Sequence, residues 1–191
     1  MTASDLEVVR RVRSGDRDAF SLLVRGYQGR LFGLVLMMLR DPAGAEEVTQ
    51  DAFVRAYTHL GQYDDRRPFY PWIAAIAVRL SQNWLRQHGR SVQREGTPLE
   101  SVQEPGATPG SLSALIDDEG KRSLWRAVAA LPSGERTAVI LYYRDEMAVS
   151  DIARALGVAT GTIKTFLFRA RRHLRERLTV KADVSVDERT S

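Results

Sequence analysis

Residues 150–174 read SDIARALGVATGTIKTFLFRARRHL, and this stretch decides the fold prediction. Ser150 is suited to cap a short helix, whose apolar positions recur at helical spacing up to Leu156. Gly157 supplies the permissive backbone of a tight turn, and Thr160 is suited to cap the helix that follows. Two short helices joined in this way form a helix-turn-helix, whose second helix enters the major groove of DNA.

The second helix of this motif has a face that a core does not need. Ile163, Leu167 and Ala170 recur at spacings of four and three, so they are expected to point inward. The segment from Lys164 to Lys181 holds seven cations and one acid. Arginine pairs with guanine edges, threonine and phenylalanine contact thymine methyl groups, and lysine reaches phosphates. The residues expected to contact DNA on this basis are Lys164, Thr165, Phe168, Arg169, Arg171 and Arg172.

Helical periodicity extends over almost the whole chain and strand alternation is not sustained anywhere, so an all-α fold is predicted. Helices are expected to begin at the caps Ser4, Asp16 and Asp41, and a fourth helix is predicted over residues 69–87. Between residues 95 and 120 there are six acidic and no basic side chains, with helix-breaking prolines. The predicted organisation is a helical domain at 1–90, an acidic flexible linker at 91–118, a helix-turn-helix domain at 119–180 and a polar tail at 181–191.

Within the second domain, Pro132 and Gly157 are expected to break the helices. Its inner face is predicted from helical spacing to include Leu124, Val128, Leu131, Val139, Ile140 and Tyr143.

Composition excludes several classes of protein. The 191 residues include no cysteine, which excludes disulfide scaffolds, thiolate zinc sites and cysteine nucleophiles. The longest apolar run, about Leu31–Leu39, is short for a membrane span, and no signal-peptide core is visible near the N-terminus. The three histidines have no metal-ligand spacing, and no phosphate-binding glycine loop or nucleophile elbow occurs. We therefore expect a soluble, cytoplasmic protein that is not an enzyme and has no cofactor, metal site or membrane insertion.

A second constellation lies in YDDRRPFYPWIAAIAVRLSQNWLRQ, residues 63–87. Four polar residues share the helix face opposite the apolar stripe, and four aromatic residues crowd the loop and helix start before it. Aromatic rings beside cations suit unpaired bases, although aromatics at helix starts also commonly belong to a core. These candidates are Arg79, Gln82, Asn83 and Arg86 on the helix, and Tyr63, Phe69, Tyr70 and Trp72 before it.

The predicted third helix carries an acidic pair, Glu47 and Asp51, spaced i, i+4 beside Val54 and Arg55. Such a pair is either solvent-facing surface or a protein contact.

Together these segments resemble bacterial sigma factors of the extracytoplasmic-function group, group IV of the sigma-70 family. AEEVTQDAFVRAY at residues 45–57 resembles the family's region 2.2, and the aromatic loop with its helix resembles the promoter-melting segment. LWRAVAALPSGERTAVILYY at 124–143 and GTIKTFLFRAR at 161–171 resemble region 4.

The resemblance implies an alternative sigma factor that binds core RNA polymerase, directs it to promoters and helps open the DNA. It implies that Glu47, Gln50, Asp51, Val54 and Arg55 contact the clamp of the largest polymerase subunit, with a second contact to the flap. The residues around the aromatic loop would recognise the melted minus-ten element, and the acidic linker would thread the polymerase cleft. An anti-sigma factor is the expected inhibitor. The minus-thirty-five element would be read by Thr160, Thr162, Lys164, Thr165, Phe168, Arg169, Arg171 and Arg172.

Two departures from the family pattern change the expectations. Arg79 stands where asparagine often forms the flipped-base pocket, so the resemblance does not assign which base this pocket prefers. Phe166 replaces a common arginine, and its place beside the inner stripe predicts packing. The alternative interpretation is a helix-turn-helix regulator that binds operators without being a polymerase subunit.

Overall fold

The computed structural model describes residues 3–95 and 118–187, and within these ranges the chain is helical with no strand. The N-terminal module consists of α1 (Ala3–Arg13), α2 (Phe20–Leu39), α3 (Pro42–Thr58) and α4 (Phe69–Glu95), with short 3-10 turns at Arg17–Ala19 and Leu60–Gln62. The C-terminal module consists of α5 (Asp118–Ala129), α6 (Ser133–Val139), a π-helical turn (Ile140–Arg144), α7 (Val149–Leu156) and α8 (Thr160–Asp187). The all-α prediction is confirmed.

Local capping chemistry explains where two N-terminal elements begin. The carboxylate of Asp16 accepts a hydrogen bond from the Ala19 amide at 3.2 Å, which starts the 3-10 turn before α2. The carboxylate of Asp41 accepts one from the Ala43 amide at 3.2 Å, and Pro42 occupies the first turn of α3. Proline fits there because the amide that it lacks would have no intrahelical partner. Both predicted caps are confirmed.

The predicted cap at Ser150 is wrong, although the motif around it is present. The backbone of Ala148 is extended and α7 begins at Val149, so Ser150 lies inside the first helical turn. Gly157 ends α7 with a left-handed φ of +69°, which a side chain rarely adopts. The turn then leads into α8 at Thr160. The tight turn predicted at the glycine is therefore confirmed.

Two predicted boundaries change. The fourth helix continues beyond residue 87 to Glu95, and the last helix continues into the predicted tail as far as Asp187. The remainder of the predicted linker and of the polar tail lies outside the described residues. The three boundaries between the predicted domains, linker and tail remain predictions.

The N-terminal core lies where α2, α3 and α4 pack together, and its fully buried side chains include Leu31, Leu34, Phe69 and Ile73. Among the described residues, Arg17–Leu39 is long and apolar enough to cross a membrane by length and composition alone. A core helix meets the same criterion, and α2 has its apolar side chains against its neighbours. The search of the sequence for a continuous apolar run did not identify this stretch, because single polar residues interrupt it.

A close approach between α3 and α4 depends on one glycine. A Cβ atom built on Gly44 would lie 2.5 Å from Cζ2 of Trp84, inside van der Waals contact. Trp84 is 9% exposed and closes the end of the apolar stripe of α4. The indole therefore packs directly on the backbone of α3.

A π-helical turn separates α6 from the helix-turn-helix. The amide of Asp145 donates to the carbonyl of Ile140 at 3.0 Å, a bond that spans five residues where an α-helix spans four. The longer turn shifts the phase of the residues that follow. Val139 and Ile140 are buried as predicted, but Tyr143 is 50% exposed, so its predicted inward position is wrong.

The two modules are in direct contact. Helix α4 packs against α7, α2 touches α6, and the buried apolar residues of both modules form one continuous cluster. Sequence reasoning predicted two helical domains joined by a flexible linker and made no prediction about contact between them. Polar residues that join the modules, among them Asp145, are buried at this junction.

Candidate nucleic-acid interface

Helix α8 has one face packed in the core and an opposite face exposed to solvent. Ile163, Leu167 and Ala170 are buried, as their spacing predicts. Phe168 points the opposite way and is 64% exposed. An exposed phenyl ring of this size contributes little to the core, and it lies within a band of cations. The exposed residues of this face are Thr160, Lys164, Thr165, Phe168, Arg169, Arg171 and Arg172, and Thr162 is partly buried.

Two side chains on this face bond to their own helix. The hydroxyl of Thr165 donates to the carbonyl of Gly161 at 3.0 Å, which leaves its methyl group available. Nε of Arg171 donates to the carbonyl of Leu167 at 3.1 Å, so its other guanidinium nitrogens can reach a phosphate.

Phe166 lies on the inner side of α8. A Cβ atom built on Gly134 would meet its ring at 3.0 Å, so the ring packs against the start of α6. The expectation that Phe166 packs is confirmed.

Helix α4 has a second polar face. Arg79, Asn83 and Arg86 are exposed, and Gln82 is half-buried, whereas Ile73, Ala77 and Leu80 on the opposite side are buried. A guanidinium nitrogen of Arg86 donates to the side-chain oxygen of Asn83, which keeps the two side chains together. The face combines cations with an amide that can accept from or donate to a base edge.

The aromatic residues predicted in the loop are placed differently: Tyr63 precedes α4, and the other three lie in its first turn. Tyr63, Phe69 and Tyr70 are buried, with Phe69 fully inaccessible, and only Trp72 is partly exposed. The Tyr63 ring packs 5.6 Å from the ring of Phe69 and 5.1 Å from that of Trp72, measured between centroids. The Tyr63 hydroxyl donates to the carbonyl of Arg67. In this arrangement an unpaired base cannot stack on the three buried rings, because each is already covered by protein.

Helix α3 exposes a third surface. Its buried side holds Val48, Ala52 and Phe53, and its exposed side carries carboxylates around an apolar side chain, Val54, that is 61% exposed. The predicted polymerase-contact residues are all exposed: Glu47, Gln50, Asp51, Val54 and Arg55. Two other exposed apolar side chains that sequence reasoning did not single out are Tyr57, also on α3, and Leu22 on α2.

Several charged residues at the junction between modules were also missed. Arg30, Arg144 and Asp145 contact one another across it. The sequence contains no local signal for such a cluster, since Arg30 is separated from Arg144 and Asp145 by more than a hundred residues and each one alone resembles surface charge.

Comparison with known proteins decides between the two candidate families of DNA-binding protein. Residues 23–91 match the family described as sigma-70 region 2, and residues 121–174 match sigma-70, region 4. Together these matches cover more than half of the chain. The chain belongs to the sigma-70 family.

Relatives place this sigma factor within its family. It is 31% identical over 179 residues to the RNA polymerase sigma-H factor of Pseudomonas aeruginosa, covering 87% of this chain and 90% of that protein. It is 32% identical over 177 residues to the ECF RNA polymerase sigma-E factor of Escherichia coli K12, covering 88% and 91%. It is an alternative sigma factor of the extracytoplasmic-function group, which directs RNA polymerase to promoters at transcription initiation. The interpretation as an independent operator-binding regulator is not favoured.

The fold of this sigma factor also occurs in a solved structure. The sigma factor RpoE of Bartonella quintana, in complex with the anti-sigma factor NepR, superposes with a TM-score of 0.64 at 23% identity. The match covers 84% of this chain and 97% of that one.

Proposed function

We propose that this sigma factor reads its promoter with two separate helix faces and holds core polymerase with a third. The exposed face of α8 reads the duplex minus-thirty-five element. The observation that carries this proposal is the exposure of Phe168 at 64% within a cationic face whose opposite side is core. A phenyl ring there has no structural task, and it fits contact with a thymine methyl group. Arg169 and Arg172 flank the ring, where they can pair with bases or phosphates.

The polar face of α4 recognises the minus-ten element. Arg79, Asn83 and Arg86 are exposed and can contact the edges and phosphates of an unpaired strand. Trp72 is the member of the aromatic group with an accessible edge on which a base could stack. Arg79 presents donors only, so it favours a base edge rich in acceptors, such as that of guanine.

The α3 surface docks on the clamp of the largest polymerase subunit. Support comes from the exposed carboxylates of Glu47 and Asp51 on either side of Gln50, with Val54 adding an apolar contact at the same face. A mixed surface of this kind suits a partner with complementary cations and an apolar centre. The C-terminal module contacts the flap, and the acidic linker occupies the polymerase cleft.

The chain acts without catalysis of its own, in the cytoplasm of a bacterium, and an anti-sigma factor inhibits it. Support for the inhibitor comes from the Bartonella quintana relative, whose structure was solved with an anti-sigma factor. Among the described residues, no group of three or more carboxylates and histidines could hold a metal ion.

Run-off transcription with core polymerase from a bacterium that encodes this chain tests the proposal on a library of promoter fragments. Initiation should depend on the chain and enrich two promoter elements. Phe168→Ala should change selection at the upstream element alone, and Arg79→Ala at the downstream element alone. Ser21→Ala on α2 is the control, because Ser21 is exposed and lies outside all three surfaces. Effects of both variants on the same element would contradict the assignment of α8 to the upstream element and of α4 to the downstream element.

A further inference from the structure

Asp145 lies at the junction between the modules, immediately after the π-helical turn, and is 2% exposed. Its Oδ2 accepts a hydrogen bond from the hydroxyl of Tyr70 on α4 at 2.8 Å. Its Oδ1 accepts one from Nε of Arg30 on α2 at 3.3 Å, and its main-chain carbonyl accepts a second from the same guanidinium. A single residue of the C-terminal module is therefore held by two helices of the N-terminal module.

Further contacts close this group. The guanidinium of Arg30 lies 3.7 Å from the centroid of the Tyr70 ring, a cation–π contact. Arg144 lies 3.7 Å from the Asp145 carboxylate, and its Nη2 donates to the carbonyl of Arg30 at 3.4 Å. We call these four residues, Arg30, Tyr70, Arg144 and Asp145, the junction cluster.

In the junction cluster, the carboxylate of Asp145 is buried away from water. Burial raises the pKa of Asp145 despite the Arg144, Tyr70 and Arg30 contacts that favour its charged form. A buried charge is tolerated only while its partners stay in place, so the cluster makes the joined arrangement specific. When the modules part, water replaces the lost partners of both Asp145 and Arg30.

A further polar contact between the modules, made by Arg136, is poorly compensated. Nη2 of Arg136 reaches the carbonyl of Met38 only at 3.5 Å, and its buried Nε has no hydrogen-bond partner among the described residues. Burial and the nearby charge of Arg40 lower the pKa of Arg136. Buried guanidinium nitrogens without a hydrogen-bond partner among the described residues occur on both sides of the junction, because Nη1 of Arg144 in the junction cluster is one of them. The specific contacts between the modules are the hydrogen bonds that Tyr70 and Arg30 donate to Asp145, and their loss is expected to shift the balance towards the open form.

The joined arrangement cannot engage both promoter elements at once. The minus-ten and minus-thirty-five positions differ by about 25 base pairs, or about 85 Å of duplex at 3.4 Å each. Helix α4, whose 27 residues span about 40 Å, is in direct contact with α7 of the helix-turn-helix. The two faces must move apart before both can bind.

We propose that the junction cluster is an intramolecular latch that holds the free chain closed, and that core polymerase binds the open form. Opening also separates Asp145 from Tyr70, one of the buried aromatic residues in the first turn of α4. The proposal goes beyond the promoter-reading function, because the distance between modules can be measured without promoter DNA.

Distance measurement by electron paramagnetic resonance tests the latch directly. The chain has no cysteine, so Gln28→Cys on α2 and Ala130→Cys after α5 introduce unique sites for spin labels at exposed positions. The parent should show one narrow, short distance. Asp145→Asn keeps the shape but removes the charge, and Arg30→Met acts from the other module; each should raise the open population about tenfold. Asp151→Asn on α7, which removes a carboxylate that pairs with Arg154 on the same helix, is the matched control.

The same proteins are then titrated with core polymerase. Apparent affinity scales with the fraction of binding-competent chain, so a tenfold rise in the open population tightens binding up to about tenfold. Circular dichroism verifies that helicity is retained. A parent that is already broadly open, or two latch variants with the parent's distance distribution, would overturn the latch. Opened variants that bind polymerase no more tightly than Asp151→Asn would show that closure does not restrain the chain.

Discussion

Phe166 and Phe168 show at the residue scale how two identical side chains on one helix take different roles. They are two positions apart on α8, which turns them about 200° from each other. Phe166 packs on the backbone at Gly134, and Phe168 is 64% exposed. We therefore expect Phe166 to contribute to stability and Phe168 to DNA recognition.

Phe168→Ala should leave the free energy of unfolding within about 0.5 kcal/mol of the parent, since an exposed ring contributes little to packing. Binding of the minus-thirty-five element by polymerase holoenzyme should weaken about tenfold, the effect of a lost apolar base contact. Phe166→Ala should do the reverse, with a loss of about 2 kcal/mol from the cavity at Gly134. Chemical denaturation and promoter-binding titrations measure the two quantities, and a destabilised Phe168→Ala protein would contradict the assignment.

Tyr63 predicts a response to alkaline pH. Burial and nearby carboxylates raise the pKa of Tyr63 from 10.0 to about 12. Because the folded-state pKa lies above the unfolded value, its stabilising contribution is complete below pH 10 and is lost as pH rises through about 12. Tyr63→Phe should therefore remove part of the fall in unfolding free energy over that range, as followed by denaturation at fixed pH values. Equal slopes in both proteins would show that Tyr63 titrates normally.

Sequence reasoning succeeded at the residue scale where the controlling interaction is local. The caps at Asp16 and Asp41 and the turn at Gly157 depend on neighbours within a few positions. The same reasoning placed Tyr63, Phe69 and Tyr70 in a recognition loop, but their burial depends on helices far away in sequence. The sequence around Asp145 did not indicate its burial or its contacts, because its partners Arg30 and Tyr70 lie 115 and 75 positions away.

At the scale of elements, the packing of α3 on α4 depends on the bare backbone at Gly44. Helical periodicity predicted the apolar stripe that ends at Trp84, but a stripe does not say which neighbour it meets or how closely. A helix–helix distance follows from the side chains at the crossing point, and only the assembled core shows that this point is a glycine.

Gly44→Ala should destabilise the chain by about 2 kcal/mol, because a methyl group 2.5 Å from Cζ2 of Trp84 forces the indole to move. Gly29→Ala on α2 is the control, since nothing lies within 4 Å of the added atom. That variant should gain about 0.5–1 kcal/mol from helix propensity. Thermal and chemical denaturation compare the two. A neutral Gly44→Ala with unchanged tryptophan fluorescence would indicate that the contact is looser.

At the scale of the whole molecule, composition and periodicity predicted an all-α chain of two helical parts, but not that these parts share one cluster of buried residues. Contacts between modules carry no periodic signal, since both contributing faces already appear as ordinary amphipathic stripes. The joined core has a thermodynamic consequence: neither module loses its structure without exposing apolar surface of the other.

The free chain should therefore unfold in a single cooperative transition, with equal calorimetric and van't Hoff enthalpies. Asp145→Asn, which weakens the junction, should split or broaden the transition as the modules uncouple. Differential scanning calorimetry measures both, and Asp151→Asn should retain the single transition of the parent. Two resolved transitions in the parent would mean that the shared cluster does not couple the modules.

The π-helical turn at Ile140–Arg144 has an evolutionary consequence. A π-turn accommodates one residue more than an α-helical turn, and it sets the direction in which Asp145 leaves the helix. Loss of one residue from this turn would restore α-helical phase and rotate that carboxylate by about 100° away from Tyr70. Lineages can thus acquire or discard the coupling between the modules through a one-codon insertion or deletion, with both DNA-reading faces unchanged in sequence.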